Sequence, residues 1–133
     1  MIISFILAMV FTLFVIRIGS LYLHDGDAYE NRKWKGAKYD KSKSLTGFLR
    51  RKLEIDVHHF HFGIIILVLI IPVIFLTNLN DINLIILGVG LSMFLDQISG
   101  VLFDVEYFGK RSLIISISLH IISIILFYII IFR

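Results

Sequence analysis

The sequence predicts an all-α, polytopic membrane protein with four transmembrane helices. Of its 133 residues, 58% are hydrophobic, and the mean hydropathy is +0.92. Four apolar runs each reach the roughly 20 residues that a helix needs to cross a bilayer. We therefore predict one membrane domain over residues 1–133, with spans at about 2–23, 57–77, 84–103 and 113–132 and a long polar loop at 24–56.

The first run, residues 2–23, has the apolar character of a signal peptide. It lacks a basic region before the apolar stretch and a small-residue cleavage site after it, so we predict a retained membrane helix. The second run contains Pro72, which a membrane helix tolerates because neighbouring groups satisfy the carbonyl that loses its donor. The absence of cysteine excludes disulfides, thiolate metal sites and a cysteine nucleophile.

Basic residues are concentrated in two loops that fall on one side of the predicted helices. Of the 13 Lys and Arg residues, nine lie in loop 24–56, and Lys110 and Arg111 lie in loop 104–112. Basic loops remain cytoplasmic. We therefore predict a multi-pass protein of the cell membrane, with loops 24–56 and 104–112 in the cytoplasm and both termini outside.

The end of the long loop, SLTGFLRRKLEID at residues 44–56, has the pattern of a short amphipathic helix in the membrane interface. Apolar side chains recur at helical spacing, and basic side chains occupy another face. We predict that the basic loop attracts anionic lipid headgroups, and we disfavour nucleic acid as its partner. The apolar positions are Leu45, Phe48, Leu49 and Leu53, and the membrane-surface residues are Arg50, Arg51 and Lys52.

Each predicted span carries one ionisable residue at a similar depth from the cytoplasmic side. At a rise of about 1.5 Å per residue, Arg17, Asp96 and His120 lie roughly 9 to 10 Å deep, and His61 lies roughly 6 Å deep. Such residues are costly inside a bilayer and are usually paired or functional. Asp96 and His120 are equidistant from Phe108, so a hairpin that turns there predicts contact between them. Arg17 is the other candidate partner of Asp96.

Three histidines within four positions, in the segment DVHHFHFG at residues 56–63, predict a divalent-metal site at the cytoplasmic mouth of this layer. Imidazole and carboxylate groups are common ligands of divalent metals. His58 and His61 share a helical face and are the predicted first ligands. Asp104 and Glu106 are the predicted interfacial carboxylate ligands.

The same cluster predicts an enzyme that acts on a lipid or on another headgroup-bearing substrate. A bound divalent ion would activate water or polarise a phosphoryl or carbonyl oxygen at the interface. Asp96 and His120 are the predicted catalytic residues, as an acid–base pair or as deeper metal ligands. Arg17 is assigned either to an ion pair with Asp96 or to substrate phosphate.

Three other functions compete with the metal-dependent enzyme. In a non-catalytic accessory subunit of a membrane complex, the polar layer would hold helices together, and the partner would be another membrane protein or a second copy of the chain. A b-type haem protein would use His61 and His120 as axial ligands. An ion or proton pathway would use Arg17, Asp96 and His120, although the outer half of the spans is almost wholly apolar.

Overall fold

Four helices make up most of the described chain, and each is long and apolar enough to cross a membrane. The computed structural model describes residues 1–23, 48, 49, 52, 58–103 and 109–132. The helices are α1 (Ile2–Leu23), α2 (His59–Thr77), α3 (Asp81–Phe103) and α4 (Lys110–Ile131). The described part of the chain contains no strand. It is compatible with the predicted all-α, multi-pass architecture.

Three helix starts differ by two or three residues from the prediction. Helix α2 begins at His59 rather than at residue 57, α3 at Asp81 rather than at 84, and α4 at Lys110 rather than at 113. The early start of α3 has a local cause, since Asn80 Oδ1 accepts the Asn83 backbone N–H at 2.9 Å, as an N-cap residue does. The Asp81 carboxylate in the first turn also suits the positive end of the helix dipole.

A compact polar turn joins α2 to α3. Asn78 ends α2 with φ 69°, a left-handed conformation that asparagine tolerates better than most residues. The buried Asn83 side chain donates from Nδ2 to Thr77 Oγ1 at 3.0 Å and to the Asn78 carbonyl at 3.1 Å. The amide of Asn83 therefore ties the first turn of α3 to the end of α2.

Helix α3 is the centre of the bundle. It packs extensively against α1 and α2 and less extensively against α4, whereas α1 and α4 touch only briefly. The apolar core lies between these helices at Phe5, Met9, Leu84 and Leu95. Most large apolar side chains on the outer faces of α1, α2 and α4 are exposed, as expected of surfaces that face lipid tails.

The first residues of α1 and the last residues of α4 lie at the same end of the bundle. The Phe5 ring on α1 stacks on the Phe127 ring of α4, with centroids 4.0 Å apart. At that end Ser4 Oγ also donates to Asp81 Oδ1 at 2.7 Å. The last residues of α1 and of α3 therefore both lie at the opposite end of the bundle.

Three residues of the predicted interfacial helix are described, and all three are helical. Phe48 is 51% exposed, and Lys52 Nζ lies 5.9 Å from the centroid of its ring, within cation–π range. Leu49 is partly buried. The remaining members of the predicted pattern, Leu45, Arg50, Arg51 and Leu53, lie outside the described residues.

Two glycines let α2 and α3 approach at backbone distance. A Cβ at Gly63 would lie 2.6 Å from the Phe94 amide nitrogen and 2.8 Å from the Gly90 carbonyl oxygen. A Cβ at Gly90 would lie 2.6 Å from Cγ2 of Ile66. Small residues permit this kind of close contact between membrane helices. Gly63 therefore sets the distance between α2 and α3.

Gly63→Ala should push α2 away from α3, because the added methyl group meets backbone atoms that cannot move alone. We expect the free energy of unfolding to fall by about 1–3 kcal/mol, measured by SDS-induced unfolding with circular dichroism as the readout. Gly19→Ala is the matched control, since a Cβ there meets nothing within 4 Å. Equal stability of the two variants would contradict the close approach.

Candidate functional site

Arg17 joins three helices with one side chain. From α1, its Nε donates to Asp96 Oδ1 on α3 at 2.6 Å, and its Nη2 donates to Ser112 Oγ on α4 at 3.2 Å. The Asp96 side chain is fully buried, and the Arg17 side chain is 11% exposed. Of the two partners predicted for Asp96, the structure places Arg17 in direct contact.

The Asp96 carboxylate receives hydrogen bonds from two neighbouring helices. Ser116 Oγ on α4 donates to Asp96 Oδ1 at 2.9 Å, the same oxygen that accepts from Arg17. A carboxylate removed from water requires an opposite charge and hydrogen-bond donors to offset its lost hydration. Arg17 supplies the opposite charge, and Arg17 and Ser116 both donate hydrogen bonds to the carboxylate.

Both ring nitrogens of His120 are engaged. Nδ1 lies 2.7 Å from the Ser116 carbonyl oxygen, one turn earlier on α4. A carbonyl can only accept, so Nδ1 carries a proton and donates. Nε2 lies 2.9 Å from Ser92 Oγ on α3, and this hydroxyl also lies 3.0 Å from the Met9 carbonyl of α1. Ser92 Oγ donates its single proton to the Met9 carbonyl, so toward Nε2 the hydroxyl presents a lone pair and can only accept.

The hairpin between α3 and α4 pairs residues one turn away from the predicted register. The prediction centred the hairpin on Phe108 and put Asp96 against His120. In the structure Asp96 bonds to Ser116 and Ser92 lies against His120. Both observed pairs are equidistant from position 106, so direct contact between Asp96 and His120 was the wrong pairing. The two residues are linked instead through Ser116, whose hydroxyl and carbonyl each bind one of them.

The hydrogen-bonded side chains around Asp96 and His120 together form a buried polar layer. Its members lie on α1, α3 and α4, so α2 contributes none of them, contrary to the prediction that each span adds one residue. Three serines supply its hydroxyl groups. The buried polar layer consists of Arg17, Ser92, Asp96, Ser112, Ser116 and His120.

The histidines of α2 form a separate group at its first turn. His61 Nδ1 accepts the backbone N–H of His58 at 3.0 Å, and the two rings lie 6.2 Å apart at an angle of 15°. His61 therefore occupies the third helical position and caps the chain entry, as Glu or Gln does in a capping box. The turn is attached to α3 by Phe60, whose backbone N–H donates to Gln97 Oε1 at 3.3 Å.

The described residues do not support the predicted metal site. Among them, no group of three or more His, Asp or Glu side chains is placed to hold a metal ion. His61 Nδ1 lies against the backbone N–H and carbonyl of His58 at the start of α2. Of the other predicted ligands, His58 lies beside it at the helix start, whereas Asp104 and Glu106 lie outside the described residues.

The same geometry bears on the haem and catalytic assignments. Hydrogen bonds occupy both nitrogens of His120, so neither is open to a haem iron in this arrangement. Ser92 Oγ and His120 Nε2 have the separation of a nucleophile and its general base. However, Ser92 is fully buried and donates its proton to the Met9 carbonyl rather than to His120.

Sequence reasoning missed two amide side chains that connect helices. Gln97 receives the first turn of α2, and Asn83 closes the turn between α2 and α3. Gln97 follows Asp96 directly in the sequence, so these two polar side chains lie on adjacent faces of α3. This adjacency was the sequence signal that could have identified Gln97 as a contact to another helix. Asn83 lay in a segment interpreted as a polar loop, where its helical position was not foreseen.

Comparisons with protein-family models, with curated proteins and with solved structures find no match to this chain. In the described residues, the fold and the buried polar layer define a helical protein with four helices long and apolar enough to cross a membrane and with an internal ionic network.

Arg17→Met should lower the free energy of unfolding by roughly 3–5 kcal/mol, because it leaves the Asp96 carboxylate buried without its cation. The double variant R17M/D96L should recover most of that loss, since no charge then remains and the serine hydroxyls can bond to their own helix. SDS-induced unfolding measures both. Asp81→Asn removes an exposed ion-pair partner and should have a smaller effect than R17M. Additive losses in the double variant would contradict the pairing.

Proposed function

We propose that the protein is a non-catalytic accessory subunit of a membrane complex. The single observation that carries this proposal is the bonding within the buried polar layer: among the described residues, its charged, hydroxyl and imidazole groups bond to one another and to backbone carbonyls. A network of this kind fixes helix positions. An accessory role implies a partner, which is another membrane protein or a second copy of the chain.

The geometry favours this role over a metal-dependent enzyme. Catalytic sites keep a coordination position or a cleft open for substrate. Asp96 and His120, the predicted acid–base pair, are instead buried and joined through Ser116. Their chemistry is used between helices, where polar groups hold membrane helices together.

We further propose that the basic loop 24–56 lies in the cytoplasm and binds anionic lipid headgroups, with both termini outside the cell membrane. The nine Lys and Arg residues of this loop support that orientation. Phe48 and Lys52 support the lipid contact, because an exposed ring beside an exposed ammonium group suits the boundary between acyl chains and headgroups.

An accessory role predicts that metal ions do not stabilise the protein. Tag-free protein in detergent is stripped with chelator, and its thermal unfolding midpoint is measured with and without Zn²⁺, Fe²⁺, Mn²⁺ or Mg²⁺. We expect no saturable shift, and no near-stoichiometric metal by elemental analysis before stripping. A stabilising metal whose effect is lost in His61→Ala would overturn the proposal in favour of the enzyme, and a Soret band would favour the haem protein.

Trp34, the single tryptophan, is an intrinsic probe of the basic loop. In nanodiscs, brominated phosphatidylglycerol should quench its fluorescence more strongly than brominated phosphatidylcholine at equal mole fraction. The triple variant R50Q/R51Q/K52Q should weaken this preference, since each basic residue contributes about 1 kcal/mol near an anionic surface. Added salt should weaken it as well. Equal quenching by the two lipids in the unsubstituted protein would exclude the headgroup preference.

A further inference from the structure

The end of the bundle that carries the α2–α3 turn exposes apolar side chains. Leu76, in the last turn of α2, is 84% exposed, and Ile82, in the first turn of α3, is 70% exposed. Leu79, between the two helices, is exposed as well, and so are Ile130 and Phe132 at the end of α4. We call these five residues the apolar rim. Exposed apolar side chains gathered at one end of a protein mark a contact with lipid or with another protein.

The polar groups of the turn bond largely to one another. The buried Asn83 side chain donates to Thr77 Oγ1 and to the Asn78 carbonyl, and Asn80 Oδ1 accepts the Asn83 backbone N–H. Thr77 Oγ1 itself donates to the Val73 carbonyl at 2.8 Å. Backbone that is not helical is tolerated at a membrane where its polar groups find partners inside the protein. The hydrogen bonding of this turn is therefore suited to contact with lipid.

The helix lengths place the apolar rim at the edge of the hydrocarbon layer. Helix α2 has 19 residues, so it rises roughly 28 Å, close to the roughly 30 Å thickness of the hydrocarbon core of a bilayer. Helix α4 has 22 residues and rises roughly 33 Å. Tyr128 is exposed in the last turn of α4, and tyrosine is enriched where acyl chains meet headgroups. The turn and the end of α4 both fit that depth.

We propose that the apolar rim is a lipid-binding surface that inserts between the headgroups and the upper acyl chains of the leaflet on its side. The described residues of this end contain no Lys or Arg, and their one carboxylate, Asp81, already accepts a hydrogen bond from Ser4. Lipid contact here is therefore apolar and has no preference for anionic headgroups, in contrast to the basic loop. The inference does not depend on the accessory role, and it rests on the proposed orientation only in calling this leaflet the outer one.

Single-cysteine variants of the full chain test the proposal, because the sequence contains no cysteine. Leu79→Cys and Ile82→Cys are labelled with bimane in nanodiscs. Phosphatidylcholine that carries a nitroxide high on its acyl chain should quench both labels, and phosphatidylglycerol with the same nitroxide should quench them equally. Iodide, which stays in water, should quench them roughly tenfold less than it quenches free bimane, in line with the preference of a leucine-sized apolar group for lipid over water.

Leu69→Cys is the matched control, because Leu69 is exposed near the middle of α2. A nitroxide low on the acyl chain should quench this label best, whereas the high nitroxide should quench the two rim labels best. With L69C quenched by lipid, the proposal is overturned if iodide quenches the rim labels as well as free bimane, which places the rim in water. It is also overturned if neither quencher reaches them, which places another protein chain on the rim. A lack of lipid quenching at L69C would reject bilayer insertion itself, and the proposal with it.

Discussion

The ion pair between Arg17 and Asp96 is the constraint on which the rest of the bundle depends. A carboxylate buried between apolar helices is unfavourable unless a cation and donors surround it. Satisfying Asp96 requires α1 to present Arg17 and α4 to present Ser116 at the same depth of α3. One buried charge thereby fixes how far three helices are shifted along the bundle axis relative to one another. Apolar packing alone would leave these shifts nearly free in a bilayer, because apolar side chains contact lipid tails about as well as they contact one another.

Helix α2 is held by a different physical principle. It contributes no side chain to the buried polar layer and meets α3 through the close approach of Gly63 to Gly90. Polar contacts with α3 among the described residues lie at its two ends, where Gln97 receives the first turn and Asn83 ties the last residue to α3. The bundle therefore combines three helices that side-chain hydrogen bonds hold together with a fourth, α2, that packs against α3 mainly through close backbone contact.

The four helices could be predicted because length and apolarity determine them locally. The depth of Arg17 and Asp96 followed from counting residues, and their pairing was one of two stated alternatives. The register of α3 on α4 could not be predicted in this way, because it depends on the geometry of the connection near residues 104–108 and on a third helix. Likewise, the histidine run was interpreted as a metal site, since nothing in its pattern shows that a histidine at the third position of a helix caps it.

The difference between the two registers explains why the serines matter. Sliding α4 by four residues, about 6 Å, would put His120 against Asp96 and would separate Phe127 from Phe5. Ser116 would then lie one turn from the carboxylate that it now stabilises. Arg17 bonds to Asp96 and to Ser112 at once, so it could not keep both contacts after such a slide. Arg17 and Ser116 must both lie beside Asp96 to bond to its carboxylate, and the observed register of α4 on α3 is one in which both do.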